Sequence, residues 1–480
     1  MEEKTKVISE QNKEAQFGLL PVLQKERMWG FWDYTYVNVS FAIATWAFLI
    51  GGTIAIFADM KIAIVATLSG NLVAVLIMAA ATTTPSSKYG FDIYTGVRSI
   101  FGNKGNLIIL GIITVVQVAW VAILAIMFGR AVLNVYQELT GKTLDSSVLV
   151  TILGVCSVLL CWAIVCKGPK LMQILNRIIA PLLMIVIVVM IYILNNSVGM
   201  QSILSAEAIE PFDKRWLNFM IAFELNLGAG FSWFPNMGGL ARITKNARAS
   251  YWPNMIGLVL VATFGTIIGV ATALVFNSTD PTEWMIPLAG PFFGIAALLF
   301  ICLANLAANT VVSYNFCLGL KQVSFFMRQS WVKTTGIFFL PVIVLLCIPD
   351  TIYDNFYVLL AFACTLYAPL TAMYLVDYYI FRKQRINLRA LYNTSDTSSY
   401  SFWKGFNWVA VVVFVLGMIS YTLFLNPLTL IPVNAAFSFT TATGISFIIT
   451  VILYYFAVKL FVLPKNIGGY DYDLDMKGRD

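Results

Sequence analysis

The feature that most constrains this chain is a series of apolar runs that recurs from residue 31 to residue 461, separated by short polar loops. A bilayer's hydrocarbon core takes about 20 apolar residues per helix, and the runs have that length. They fall at 31–57, 61–83, 107–136, 147–166, 172–194, 216–240, 252–276, 287–318, 334–349, 354–380, 405–426 and 432–461, here called spans 1 to 12. In lipid, backbone polar groups are satisfied only within helices or closed barrels, and the alternating ten-residue segments of a barrel are missing. The runs therefore predict an all-α integral membrane protein of about 12 transmembrane helices. Its charged residues, 11% of the chain, are too few to coat a soluble surface.

Charge placement predicts orientation. Seventeen lysines and arginines flank or fill the loops after spans 2, 4, 6, 8 and 10, among them Lys88, Arg177, Arg248, Arg328 and Arg389. The opposite side carries five, namely Lys61, Arg130, Lys142, Lys214 and Arg215. By the positive-inside rule both termini are cytoplasmic, and a multi-pass plasma-membrane protein is expected. The net charge of +7 follows from this topology and points to no nucleic acid. The first 28 residues hold five acidic and five basic side chains, which does not fit a cleavable signal peptide. The seven cysteines lie in or beside spans, so neither a disulfide framework nor a zinc site is expected. There is no histidine, no phosphate-binding glycine loop and no long soluble insert, so no metal and no cofactor beyond a coupling ion is predicted. A membrane-embedded enzyme needs acid, base and nucleophile facing one cavity. A channel needs a repeated polar pore lining. The chain offers isolated polar sites instead, which favours a transporter acting as a monomer.

Three stretches carry those sites. "FELNLGAGFSWFPNMGG" (223–239) sets Glu224, Gly228, Gly230 and Pro235 inside span 6. Proline removes a helix hydrogen bond and nearby glycines weaken the helix, so a break at Gly228–Gly230 is expected. An ordinary kink is the plain alternative. Irregular backbone at membrane depth is otherwise tolerated where it lines a cavity, as in the midplane sites of secondary transporters. In span 3, Gln117 and Trp120 are three residues apart and share a helical face. In span 8, Asn305 and Asn309 are four apart, with alanines between them that permit close helix approach. Interhelical hydrogen bonding is the plain reading of each amide. A tryptophan at mid-span is less ordinary, because tryptophans prefer the interfaces. An aromatic face beside amide donors and acceptors suits a small flat heterocycle, stacked on its plane and hydrogen-bonded at its edge.

Taken in order, "KYGFDIYTGVRSIFGNKGN" (88–106), "VQVAW" in span 3, "GGLARITKNAR" (238–248), "NLAAN" (305–309), "APLTAMYLVDYYIFRKQRINLRALY" (368–392) and "FWKGFNWVA" (402–410) resemble the nucleobase:cation symporter-1 family over nearly the whole chain. The resemblance implies a leucine-transporter-like fold of two inverted five-helix repeats, 31–195 and 216–380, with spans 1 and 6 broken around the substrate. It leaves a cytoplasmic tail (1–30), a cytoplasmic loop (381–404), two additional helices (405–461) and a C-terminal tail (462–480). The implied function is import of a nucleobase, purine or cytosine-like, by cation symport. Allantoin, hydantoin or a vitamin precursor such as hydroxymethylpyrimidine are the alternatives.

By resemblance Trp120 is the stacking tryptophan and Asn309 a substrate-bonding asparagine. The chain departs from the pattern in three places. Leu124 stands where a glutamine is found, Gly230 stands where the second stacking aromatic belongs, and Leu303 and Ala304 replace the hydroxyls that hold sodium. Phe231 or Trp233 is the expected substitute aromatic. A backbone sodium site near Ser40, Ile43 and Phe300 remains open, but carbonyls alone are a poor case for tight sodium binding, so proton-driven uptake that persists without sodium is the expectation. Glu224 is the other candidate for coupling. A carboxylate inside a membrane helix costs about 2.5–3.5 kcal/mol on insertion scales and marks function by default, and desolvation favours its protonated form, suited to carrying a proton. Binding a substrate amino group, or packing alone, are its other readings. Asp33 and Asp377, at the cytoplasmic ends of spans 1 and 10, read as structural or gating residues.

Overall fold

The computed structural model describes residue 18, residues 20–142, residue 144 and residues 147–470. Most of the expected cytoplasmic tails, 1–17 and 471–480, lies outside the described residues. Among those described the chain is helical, with no strand beyond isolated bridges. Eight helices are long and apolar enough to cross a membrane, and a ninth is the bent pair Phe31–Ala42 and Thr45–Phe57, which meet at 48°. Spans 6, 9 and 11 correspond to shorter helices, Arg215–Phe231 with Phe234–Ala241, Trp331–Leu345 and Trp408–Thr422. Large apolar side chains face outward along the bundle, Val115, Ile178 and Phe292 among them, as a lipid-facing surface requires.

The two halves are built alike. The inner part of span 1, Phe31–Ala42, packs on span 5, and the outer part of span 6, Arg215–Phe231, packs on span 10. Span 3 lies along span 8 at the centre. Each of these two long helices is interrupted near its start by a glycine of nearly identical left-handed conformation, Gly102 at φ 81, ψ 171 and Gly290 at φ 75, ψ 167. Side-chain-bearing residues rarely adopt that conformation. The same turn at matching places in both halves is the mark of a repeat.

Two expectations about boundaries fail. Span 12 begins at Ala442 rather than 432, because Leu425 and Pro432 bridge across a turn and Thr441 caps the helix through the Gly444 amide. Span 6 breaks at Ser232–Trp233, between helices Arg215–Phe231 and Phe234–Ala241, rather than at Gly228–Gly230. The cause is Pro235, which has no N–H to give the carbonyl of Phe231 four residues back. The glycines serve packing. A Cβ on Gly230 would lie 2.2 Å from the Cβ of Ala74 in span 2, and one on Gly228 would lie 2.5 Å from the sulfur of Cys364 in span 10.

Candidate functional site

Span 1 unwinds at Ile43 and Ala44 without a proline or glycine there. Opening a helix frees backbone groups that must find partners in an apolar interior. The freed amide of Thr45 donates to Asn305 Oδ1 at 3.0 Å, and Asn305 Nδ2 donates to the Thr45 hydroxyl at 2.7 Å. The carbonyl of Phe41, left without Thr45 as donor, accepts from the indole Nε1 of Trp46 at 3.0 Å. Asn305 thus caps the outer half of the broken span. In span 6, the Ser232 hydroxyl donates to the carbonyl of Ala229 at 2.5 Å, and the Trp233 amide donates to Gly230 at 3.2 Å.

The two breaks face each other across a narrow cavity lined by Phe41, Trp46, Trp120, Ala229, Ser232, Trp233, Asn236 and Val312. Trp233 stands edge-on to Phe41 at 4.3 Å and to Trp46 at 5.2 Å between ring centroids. Trp120 enters from span 3, edge-on to Phe356 at 5.8 Å, and its indole nitrogen is buried without a protein partner. One turn before it, Gln117 donates to the Tyr367 hydroxyl at 2.8 Å while its Oε1 has no protein partner. One turn before Val312, Asn309 donates to the carbonyl of Val121 at 3.2 Å, and its Oδ1 is likewise unpartnered. Asn236 accepts from Asn315 at 3.2 Å.

Of the residues read from the sequence, Trp120 and Trp233 line this cavity, and Gln117 and Asn309 sit one turn from it. Phe231 does not line it but packs against Phe447 of span 12 at 6.1 Å. Gly228 and Gly230 face neighbouring helices rather than the cavity. Phe41, Trp46, Ala229, Ser232, Asn236 and Val312 were missed. "FAIATWAF" did carry a signal, a second mid-span tryptophan.

The ion candidates divide. Glu224 is buried away from the cavity against the start of span 12. Its carboxylate accepts from the Thr443 amide at 3.1 and 3.2 Å and from the Thr443 hydroxyl at 2.7 Å. Ser40 is fully buried near the span-1 break, with no protein partner for its hydroxyl. Ile43 is the first residue of that break. The Phe300 side chain points into an apolar groove with Leu182 and Phe293. Leu303 is 37% exposed and Ala304 is buried, and neither can supply a side-chain oxygen.

On the predicted cytoplasmic side the chain is closed. The Trp29 amide donates to Ile243 and the Lys245 amide to Trp29, at 3.1 and 2.9 Å, joining the segments before span 1 and after span 6. Asp33 pairs with Arg177 of span 5 at 2.6 Å and accepts the Gly30 amide at 2.9 Å. Asp377 pairs with Arg382 at 2.5 Å and accepts from Tyr470 at 2.8 Å.

Two broken spans around a narrow cavity, in a helical bundle of two like halves, define a secondary transporter. The chain belongs to the family of permeases for cytosine/purines, uracil, thiamine and allantoin, which it matches over residues 21–449. It is similar to the purine-uracil permease NCS1 of Arabidopsis thaliana, with 24% identity over 84% of this chain and 70% of the relative. It is also similar to the hydantoin permease of Microbacterium maritypicum, with 23% identity over 83% and 82%. Its fold matches that of Mhp1, a nucleobase-cation-symport-1 family transporter in a closed conformation with bromovinylhydantoin bound. There the TM-score is 0.74 at 20% identity, covering 94% of this chain and 98% of the other.

Proposed function

We propose that this chain imports a nucleobase-like heterocycle across the plasma membrane by cation symport, as a monomer with both termini cytoplasmic, alternating access around the cavity between spans 1, 3, 6 and 8. The observation that carries the reading is the aromatic enclosure of Trp46, Trp120 and Trp233, with the unpartnered amide oxygens of Gln117 and Asn309 one turn away. Aromatic planes bind either face of a flat ring, and amide groups satisfy its polar edge. A small apolar ring would gain the stacking but leave those polar groups unmet.

Coupling is assigned to the break in span 1. The buried, unpartnered Ser40 hydroxyl lies three residues before the break, and an oxygen donor of that kind suits a hard cation such as sodium. Glu224 is assigned to assembly of span 12, because Thr443 already occupies its carboxylate. An uptake competition panel of labelled uracil, cytosine, hypoxanthine, allantoin, hydantoin and hydroxymethylpyrimidine, run with sodium or with choline and with or without a protonophore, tests both parts. Saturable, concentrative uptake of one nucleobase that needs sodium is the expected result. Preference for a ureide or a vitamin precursor would replace the substrate reading. Uptake that persists in choline and collapses with the protonophore would return coupling to a proton. No saturable uptake of any heterocycle would overturn the whole reading.

A further inference from the structure

We propose that Trp46 is the wall that sets how large a heterocycle the cavity accepts, and that it links occupancy of the cavity to the angle of the break in span 1. The inference rests on the reading of the cavity as a heterocycle site. Trp46 lies in the first turn of the helix Thr45–Phe57. Helical side chains lean toward their own N-terminus, so the indole folds back over the break. There it is held at two points. Its Nε1 bonds the Phe41 carbonyl at 3.0 Å, and its ring stands at 72° to Trp233 with 5.2 Å between centroids. Only 4% of the residue is exposed.

Trp120 and Trp233 bring aromatic surface from spans 3 and 6, and Trp46 closes a further side from span 1. A substrate reaching past Trp46 must displace the indole. Displacement breaks the bond to Phe41 and strands a carbonyl and an N–H in apolar surroundings, a cost no compact ring incurs. A flat, unsubstituted heterocycle is therefore accepted, and the same ring bearing a bulky nitrogen substituent, as in a nucleoside, is rejected. The bond also joins the last turn of Phe31–Ala42 to the first turn of Thr45–Phe57. The 48° bend cannot change without moving the wall.

The test is a size series, Trp46→Phe, Trp46→Leu and Trp46→Ala, in intact cells. The readout is the ratio of uptake of an N-benzyl or N-ribosyl derivative to uptake of the unsubstituted heterocycle. A ratio within one sample is independent of expression level, and a purely structural defect lowers both uptakes together. The ratio is expected to rise in the order Phe, Leu, Ala, reaching about ten-fold or more over the parent, the scale on which pocket size discriminates substrates. Any transport-competent variant of the three that keeps the parent ratio overturns the inference, so failure of the alanine variant to fold does not protect it. A parent chain that transports none of the heterocycles overturns the functional reading instead, and the two failures are distinguishable.

Discussion

Replacing Glu224 by leucine separates the two roles open to this carboxylate. Thr441 caps span 12, so the Thr443 amide lies in the first turn, where helix N–H groups have no partner within the helix. Glu224 supplies the acceptor for that amide and for the Thr443 hydroxyl. Leucine orphans both donors, at about 1–3 kcal/mol each. The expected loss is therefore several kcal/mol, concentrated where spans 11 and 12 join span 6. Glutamine keeps one oxygen acceptor and should cost about 0.5–2 kcal/mol. The assay is thermal unfolding of the purified protein in detergent, followed by size-exclusion, alongside substrate accumulation in proteoliposomes. Glu224→Leu should unfold at clearly lower temperature, whereas Glu224→Gln should stay folded and still concentrate substrate. A Glu224→Gln variant as stable as the parent that exchanges substrate but cannot accumulate it would refute this and make Glu224 the proton carrier.

Other outcomes follow from the same geometry. Trp120→Ala should abolish saturable uptake while the protein still reaches the membrane, because a stacking face of the cavity is lost, and Trp120→Phe should keep part of it. Asn309→Ala should weaken substrate binding by about 1–3 kcal/mol in equilibrium binding, and unchanged binding would remove Asn309 from the site. Gly230→Ala should impair folding by contact with Ala74, and Ala74→Gly should restore it, with substrate preference unchanged in the uptake panel. Outside the bundle, the Ser147 hydroxyl and the Arg130 guanidinium hold the Asp350 carboxyl below the usual carboxylate range. A depressed carboxylate contributes stability above its unfolded value, near about 3.9, and loses it as pH falls through the folded one. Asp350 therefore stays charged across about pH 5–8, and Asp350→Asn should leave the external-pH profile of uptake unaltered in that window.

The bundle was legible because lipid imposes so strict a rule on backbone polarity that apolar run length alone locates most helices. Span 12 was misplaced by ten residues because "IPVNAAFSFT" is apolar enough to pass for helix. Its actual start depends on a turn closed by Pro432 and a cap supplied by Thr441. The break in span 1 has no local signature, since neither proline nor glycine lies within "SFAIATWAF". What holds it open is Asn305, 260 residues away. The contact that Glu224 makes was hidden for the same reason. Its partner Thr443 is 219 residues distant, and nothing near Glu224 in sequence announces a helix end waiting for an acceptor. The glycines of span 6 were visible but ambiguous. A missing side chain either loosens a helix or lets another approach, and Ala74 and Cys364 decide for approach.

The cavity combines two kinds of surface that pull a substrate in different directions. Its walls are aromatic, so any flat ring gains dispersion and stacking there. Near those walls Trp120 Nε1, Gln117 Oε1 and Asn309 Oδ1 have no protein partner, one donor and two acceptors. Each buried group left unmet costs about 1–3 kcal/mol. A ring that meets even one of them gains over an isosteric hydrocarbon by about ten-fold in affinity, and one that meets two gains about a hundred-fold or more. Two acceptors against one donor favour a ligand edge richer in N–H than in carbonyl oxygen. Among flat rings small enough to pass the Trp46 wall, selection comes from the protein's own unpaired groups. Gln117→Leu, which makes the face apolar without opening space, should therefore erase more discrimination between the transported heterocycle and its hydrocarbon-edged analogues than it costs in overall capacity. An unchanged preference for that heterocycle over those analogues in the Gln117→Leu variant would remove Gln117 from this account.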